Sequence, residues 1–176
     1  MKVPVHALGP VRRALEASGG HLEQALTLED NLVLDDFEGS LRTSGRLLRI
    51  RRWGDRWTVT FKGTCSFRDG IKSRSERETS LGDGPALLAV MAELGFSTVR
   101  RYQKRRETWR CDGVVVALDE TPMGCFVELE GDPEHLADLA GRLGLDPGAA
   151  VSGTYLELWN RYRETHPEAP AEMVFR

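Results

Sequence analysis

The sequence predicts an α+β fold in which antiparallel strands are interspersed with helices. Segments such as 47–53 alternate apolar and charged side chains, which is typical of half-buried strands. Glycine turns at Gly54-Asp55 and Asp112-Gly113 join neighbouring segments of this kind and favour hairpins. Other segments, such as 85–94, place apolar residues three or four apart, as amphipathic helices do.

The N-terminal part of the chain is predicted to hold two short strands and one helix. The first strand covers 3–6. Pro10 lies near the first turn of the helix and Gly19-Gly20 ends it, which is the usual asymmetry of helix ends. The second short strand, at 32–34, precedes a turn at Asp35-Asp36.

The middle of the chain is predicted to form a hairpin, a further strand and a helix. In the strand 47–53, Arg49 and Arg51 alternate with apolar residues, and 57–62 repeats such an alternation. These two strands therefore form the hairpin. The elements that follow are a strand at 72–79, polar on both faces, and a helix at 85–94 that begins after Asp83.

The C-terminal part is predicted to contain three strands and two helices. The strands are 99–110, 114–119 and 126–130. One helix begins at Asp132-Pro133 and ends at Gly144, and the other covers 154–164. Residues 1–164 are expected to form one domain, and 165–176, with two prolines, a loosely ordered tail.

Composition narrows the class of protein. The chain has 176 residues, of which 40% are hydrophobic, and contains no apolar stretch near the roughly 20 residues that a membrane span needs. The N-terminus lacks a signal-peptide pattern. Three widely spaced cysteines, without a CxxC motif, argue against disulfides and zinc. We therefore expect a cytoplasmic protein with structural thiols.

The charges are unevenly distributed. The net charge is −3, yet residues 42–77 carry eleven Lys and Arg against three acidic residues. This basic stretch has three explanations: nucleic-acid binding, binding of a small phosphorylated ligand, or a solvated face. Paired acidic residues elsewhere in the chain would repel a nucleic-acid backbone and disfavour the first.

Like charges recur two residues apart within the predicted strands. Side chains alternate faces along a strand, so each pair shares a face opposite apolar residues that require burial. A sheet closed on itself would direct these charges into a lumen large enough for one small ligand. A lumen of both signs suits a phosphate chain and a divalent cation. The pairs are Arg49 and Arg51, Glu76 and Glu78, Lys104 and Arg106, and Glu128 and Glu130.

An ordered series of short motifs resembles the CYTH superfamily from Lys2 to about Tyr162. That superfamily includes class IV adenylate cyclases, thiamine triphosphatases and inorganic triphosphatases. The resemblance implies a closed eight-stranded antiparallel β-barrel, a triphosphate tunnel, with helices packed outside. The motifs are Leu-Arg-Ile-Arg (48–51), Thr-Phe-Lys-Gly (60–63), Arg-Ser-Glu-Arg-Glu (74–78), Lys-Arg-Arg-Glu (104–107), Leu-Asp-Glu (118–120), Val-Glu-Leu-Glu-Gly (127–131) and Tyr-Leu-Glu-Leu (155–158).

The resemblance also implies roles for individual residues. The catalytic residues are expected to be Glu76, Glu78, Lys104 and Arg106. The substrate-binding residues are expected to be Lys2, Arg49, Arg51, Lys62, Arg74, Lys104 and Arg106. The ligands of Mg²⁺ or Mn²⁺ are expected to be Asp119, Glu128 and Glu130, and Asp35 is expected to be structural.

The implied activity is metal-dependent hydrolysis of a linear triphosphate, either inorganic or organic. Two alternatives remain: a class IV adenylate cyclase that makes cyclic AMP from ATP, and a protein that binds triphosphate without turnover. The last arises because the superfamily signature Glu-x-Glu-x-Lys matches only at Lys2, so its two glutamates have no counterpart in this sequence. The expected partner is a small triphosphate-containing substrate, with no membrane, and a homodimer is left open.

Overall fold

The computed structural model describes the backbone of residues 1–68 and 71–176, and the side chains of 1–64 and 74–176. Within these residues, eight strands belong to one antiparallel sheet accompanied by helices, which confirms the α+β prediction. Closure of the sheet into a barrel stays a prediction. The strands are β1 (Lys2–Val5), β2 (His21–Asp36), β3 (Leu47–Trp53), β4 (Arg56–Arg68), β5 (Ile71–Leu81), β6 (Phe96–Cys111), β7 (Val114–Thr121) and β8 (Gly124–Glu130).

Helices occupy several of the connections between strands and also follow the last strand. None in the described part of the chain is both long and apolar enough to cross a membrane. The α-helices are α1 (Leu8–Ala17), α2 (Ser40–Thr43), α3 (Gly84–Glu93), α4 (Pro133–Arg142) and α5 (Tyr155–Thr165).

The chain divides into two compact units. The first unit comprises Met1–Leu28 and Gln103–Arg176, and the second comprises Glu29–Tyr102. Strands β2 and β6 pass from one unit to the other. In the first unit the strand order is β1-β8-β7-β6, and in the second it is β2-β3-β4-β5. The assignment of 1–164 to one domain stays a prediction.

The core of the first unit lies on one face of β7 and β8. Alternate residues of these strands are fully buried, as their spacing predicts, and they pack with Leu15 of α1 and Leu139 of α4. Glu107 of β6 lies among these core residues, and its carboxylate accepts hydrogen bonds from Arg12 Nε at 3.0 Å and Trp109 Nε1 at 2.5 Å. The buried strand residues are Val114, Val116, Leu118, Val127 and Leu129.

The hairpin of β3 and β4 dominates the second unit. Its register pairs Arg49 with Thr60, which places both side chains on the charged face. Ile50 of the opposite face is fully buried, whereas Phe61, which shares that face as the register partner of Leu48, is only half-buried. Arg49 and Thr60 are instead buried. The charged face of this hairpin is therefore buried around Arg49 and Thr60.

The structure extends β2 far beyond the predicted strand at 32–34. The strand begins at His21, and the side chains of Leu22, Leu26 and Leu28 are exposed along it. Exposed leucines beside charged residues obscure the alternation that identifies a half-buried strand. Helix α2 also went unpredicted, because it depends on Asp35, whose carboxylate accepts from the backbone N–H groups of Leu41 and Arg42. Asp35 is thus structural, as expected.

The segment after Thr165 is not loosely ordered, contrary to the prediction. Met173 is fully buried, and its carbonyl oxygen accepts a hydrogen bond of 2.7 Å from the N–H of Gln103. The side chain of Gln103 in turn accepts from the N–H of Phe175 at 3.2 Å. Cys111 and Cys125 are free thiols, whereas the side chain of Cys65 lies outside the described residues.

Replacing Leu118 by alanine is expected to lower the free energy of unfolding by about 2–5 kcal/mol, because the side chain is fully buried and its loss leaves a cavity. Urea denaturation measures this difference. Leu94→Ala is the control, since Leu94 is 65% exposed, and should change stability by no more than about 0.5 kcal/mol. Equal losses in both variants would contradict the assignment of the core.

Candidate functional site

The first unit gathers charged side chains by strand register. Arg106 of β6 is the register partner of Asp119 of β7, and Glu128 of β8 is the partner of Lys2 of β1. Directly opposed residues in an antiparallel sheet project from the same face. Lys104, two residues before Arg106, belongs to this face as well, and its ammonium lies 3.3 Å from Asp119. These five residues form what we call the β1–β6–β7–β8 charge cluster.

Asp119 is the centre of this cluster. It is fully buried, and its Oδ1 accepts from Arg106 Nε at 2.6 Å. Its Oδ2 accepts from Arg106 Nη2 at 2.6 Å and from the hydroxyl of Tyr155 at 2.5 Å. Burial raises the pKa of Asp119, but the hydrogen bonds and charges of Arg106 and Lys104 outweigh it and lower the pKa to about 2. Asp119 is therefore ionised at neutral pH and engaged through both oxygens.

Glu128 carries the second negative charge of the cluster. Its Oε2 accepts from Arg106 Nη2, and its Oε1 lies 3.2 Å from Lys2 Nζ. Burial raises the pKa of Glu128, while the positive charges of Arg106, Lys104 and Lys2 bring it below the usual value. Arg106 thus bridges Glu128 and Asp119 and holds both carboxylates in the charged form.

Tyr155, at the start of α5, completes the cluster and was missed by the sequence-based assignment. Burial and the charge of Asp119 raise its pKa, so the hydroxyl stays protonated and donates to Asp119. The ammonium groups of Lys2 and Lys104 lie 3.9 Å and 5.1 Å from its ring centroid. The pattern of residues 155–162 placed Tyr155 on an apolar helix face, which gave no sign of these polar contacts.

The second unit holds a cluster around Arg49, which is only 9% exposed. Its Nη2 donates to Thr60 Oγ1 at 3.1 Å and lies 3.6 Å from Glu78, and its Nη1 donates to Tyr102 Oη at 3.3 Å. Thr60 donates in turn to Glu78 at 2.6 Å. Arg49 Nε is buried and has no hydrogen-bond partner among the described residues.

Arg51 and Lys62 lie on the same face as Arg49. Arg51 Nε donates to Asn31 Oδ1 at 3.1 Å, and its Nη1 is 3.7 Å from Glu29. Lys62 pairs with Glu76 at 2.8 Å, because the two are register partners on β4 and β5. The structure therefore brings five of the predicted site residues of this unit onto one face: Arg49, Arg51, Lys62, Glu76 and Glu78.

Arg74 and Glu130 are placed differently from the other predicted residues. The Arg74 guanidinium donates to the backbone carbonyl of Gly63 in β4 at 2.6 Å and to that of Gly45, just before β3, at 3.1 Å. Glu130 is exposed and shares a face of β8 with Glu128. Asn31, Thr60 and Tyr102 were not predicted, although Thr60 lies two residues before Lys62 and parity alone places it on that face.

The carboxylates fit a divalent cation in part. Mg²⁺ accepts one or two carboxylates and takes its remaining ligands from water and substrate oxygens. Glu130 is exposed, whereas Asp119 is bonded to Arg106 and Tyr155. Glu128 is paired with Arg106 and Lys2, and a metal ion would compete with these two cations for its oxygens. Among the described residues no group of three His, Cys, Asp or Glu side chains is arranged to hold a metal ion. The metal set Asp119, Glu128 and Glu130 therefore stays a prediction.

The chain matches the family model of the CYTH domain over residues 2–146. It therefore belongs to the CYTH family, which confirms the resemblance found in the sequence. A putative adenylate cyclase of Methanocaldococcus jannaschii is 23% identical over 141 residues, which cover 74% of this chain and 80% of that protein.

Solved structures share the fold at low sequence identity. A putative adenylate cyclase from Vibrio parahaemolyticus gives a TM-score of 0.75 at 16% identity, covering 91% of this chain and 95% of that one. A protein of Pyrococcus horikoshii gives 0.71 at 22%, with 89% and 96% covered. A putative adenylyl cyclase from Hippeastrum, described as having a dominant triphosphatase activity, gives 0.68 at 17%, with 92% and 94% covered.

The low pKa of Asp119 predicts how stability depends on pH. The folded pKa of about 2 lies below the ordinary value of 3.8, so ionised Asp119 stabilises the fold above pH 4. This contribution, roughly 2 kcal/mol, is lost as the pH falls through 2. Asp119→Asn should therefore lack this part of the acid-induced loss, as measured by urea unfolding between pH 7 and 2. Parallel curves for the variant and the wild type would be inconsistent with the proposed ionisation of Asp119.

Proposed function

We propose that this protein hydrolyses a linear triphosphate, inorganic or organic, with the help of Mg²⁺ or Mn²⁺, on the charged face of a closed barrel. The observation that carries the proposal is the buried Arg49, whose Nε has no partner among the described residues. A buried cation is costly unless its charge and donors are satisfied. Phosphate oxygens match the guanidinium fork in both charge and geometry.

Further basic residues support a phosphate chain rather than a single phosphate. In the second unit, Arg51 and Lys62 lie on the same face as Arg49. In the first unit, the β1–β6–β7–β8 charge cluster contains three cations, Lys2, Lys104 and Arg106. Within each unit, several cations on one strand face suit a ligand with several consecutive negative charges.

The residues take distinct parts in such a reaction. The basic side chains hold the phosphates and offset the charge that develops on the transferred phosphoryl group. Glu76 and Glu78, which pair with Lys62 and Arg49, would orient an attacking water. Arg106 is held in position by Asp119, so its guanidinium does not need to reorient during the reaction. A metal ion held by Glu128 and Glu130 would supply additional neutralisation of phosphate charge when bound.

Two alternatives share this site. The names of relatives from Methanocaldococcus jannaschii and Vibrio parahaemolyticus favour an adenylate cyclase, in which the ribose 3′-hydroxyl of ATP replaces water. The description of the Hippeastrum protein favours hydrolysis. Binding of triphosphate without turnover is the third outcome. Cytoplasmic location remains a prediction from the sequence, and the sequence leaves a homodimer open.

An assay with tripolyphosphate, thiamine triphosphate and ATP, which follows both phosphate and cyclic AMP, separates these functions. We expect phosphate release from at least one linear triphosphate, with little cyclic AMP. Cyclic AMP as the main product would replace the hydrolase proposal by the cyclase. Tight binding by calorimetry without any product would indicate a binding protein.

Replacing Arg51 by alanine is expected to lower kcat/KM for the preferred triphosphate by about 100-fold or more, because a positioned cation is lost. Arg52→Ala is the matched control. Its side chain is exposed, donates to the carbonyl of Gly54, and lies on the opposite face of β3, so kcat/KM should stay within about twofold. Comparable losses in both variants would show that the charged face of β3 had been wrongly assigned.

Removal of divalent cations with EDTA is expected to abolish turnover, and added Mg²⁺ or Mn²⁺ to restore it. Glu128→Gln and Glu130→Gln should each raise the metal concentration that gives half-maximal activity by about 10-fold or more, since each removes a charged oxygen ligand. Glu120→Gln is the control, because Glu120 faces the other side of β7 and pairs with Arg105. Full activity in EDTA would rule out the metal requirement.

A further inference from the structure

We propose that Tyr155 is a positioning residue, whose aromatic ring holds the ammonium groups of Lys2 and Lys104 in place within the β1–β6–β7–β8 charge cluster. Both ammonium groups lie over the ring, at 3.9 Å and 5.1 Å from its centroid. A cation within about 6 Å of a tyrosine ring centroid is attracted by the electron-rich ring face. The benefit of these contacts for binding a phosphate chain rests on the proposed function, whereas the contacts themselves do not.

Water is largely excluded from these contacts, which strengthens them. Tyr155 is only 7% exposed, and the side chains of Lys2 and Lys104 are 12% and 6% exposed. Charged groups with so little access to water need other groups to stabilise them. A further carboxylate in this position would cancel positive charge. The neutral ring instead stabilises both ammonium groups and preserves their attraction for an anion.

The position of Tyr155 outside the sheet allows it to contact both lysines. Lys2 belongs to β1 and Lys104 to β6, and the strand order places β8 and β7 between these two strands. Tyr155 is the first residue of α5. The residue Gly153, just before this helix, adds a second contact, because its carbonyl oxygen accepts a hydrogen bond of 3.0 Å from Lys2 Nζ. The start of α5 therefore links cations from two strands that do not neighbour each other.

The ring itself is fixed by several contacts. Its hydroxyl donates to Asp119 at 2.5 Å, and its edge meets the ring of Phe126, with centroids 5.5 Å apart and planes at 78°. The backbone is fixed by the preceding residue, Thr154, which forms a capping box with Glu157. Because the ring has already restricted Lys2 and Lys104, a phosphate chain would bind with a smaller loss of side-chain freedom.

Two replacements of Tyr155 test the inference at nearly constant shape. Tyr155→Phe keeps the ring and removes the hydroxyl, whereas trifluorophenylalanine at the same position has much less electron density on the ring face. We expect Tyr155→Phe to bind tripolyphosphate within about threefold of the wild type by calorimetry, because Arg106 still contacts both oxygens of Asp119. The fluorinated ring should bind tripolyphosphate at least about fivefold more weakly than Tyr155→Phe, because it attracts the ammonium groups less.

Tyr162 provides the matched control in the same helix. Its ring stacks on those of Trp159 and His166. Tyr162→Phe and trifluorophenylalanine at this position should therefore bind tripolyphosphate equally well. A difference between them as large as that at position 155 would show that fluorination acts by a route other than the two lysines, and would overturn the inference.

A measurement without any ligand separates the inference from the proposed function. The chain has four lysines, and a ring current moves the signals of ε-methylene protons that lie over an aromatic ring upfield. In a ¹H–¹³C spectrum we expect upfield signals for Lys2 and Lys104, assigned by Lys2→Arg and Lys104→Arg, in the wild type and in Tyr155→Phe. The fluorinated ring should reduce both shifts.

The outcomes distinguish the two claims. Unshifted signals of Lys2 and Lys104 in the wild type would overturn the inference, whether or not the fluorinated variant folds. Equal affinities for tripolyphosphate with the plain and the fluorinated ring at position 155 would overturn it as well. A wild type with upfield lysine signals that binds no tripolyphosphate would support the ring contacts and overturn the proposed function.

Discussion

The ion pair between Asp119 and Arg106 is the contact on which the charged face of the first unit depends. A carboxylate that is fully buried would normally be driven towards its neutral form, yet here two guanidinium hydrogen bonds, an ammonium and a phenol keep it ionised. In return, Asp119 fixes Arg106, which reaches Glu128, and Tyr155, which lies under the ammonium groups of Lys2 and Lys104. One buried negative charge thus orders three positive ones.

The charged side chains of the two units are held by different kinds of contact. In the first unit, the opposite face of β7 and β8 is an apolar core against α1 and α4, and the charges are ordered by one buried carboxylate. In the second unit, Arg49 is held by neutral hydroxyls of Thr60 and Tyr102 and by the more distant Glu78. Neutral partners leave the positive charge of Arg49 less compensated than that of Arg106. An anionic ligand would therefore stabilise the charge of Arg49 more than that of Arg106.

Strand parity explains why much of this could be predicted from the sequence. The alternation of Arg49 and Arg51 with buried Ile50, and of Glu128 with buried Val127 and Leu129, follows directly from the two-residue period of a strand. Parity does not reveal what a long side chain contacts. Arg74 is of a residue type that binds phosphate, but its guanidinium donates hydrogen bonds to backbone carbonyls. The role of Tyr155 rests on its hydrogen bond to Asp119, which lies 36 residues away in the sequence. The periodicity of a helix gives no information about such a distant contact.

The register that pairs Arg106 with Asp119 also constrains how this sequence can change its length. Deleting one residue within β6 or β7 would move every following side chain to the other face, sending arginine into the core and valine into the charged cluster. Such a change could not be repaired by a single substitution. Insertions and deletions should therefore be confined to the turns, as at Gly54-Asp55 and Asp112-Gly113, while the strands between them evolve by substitution alone.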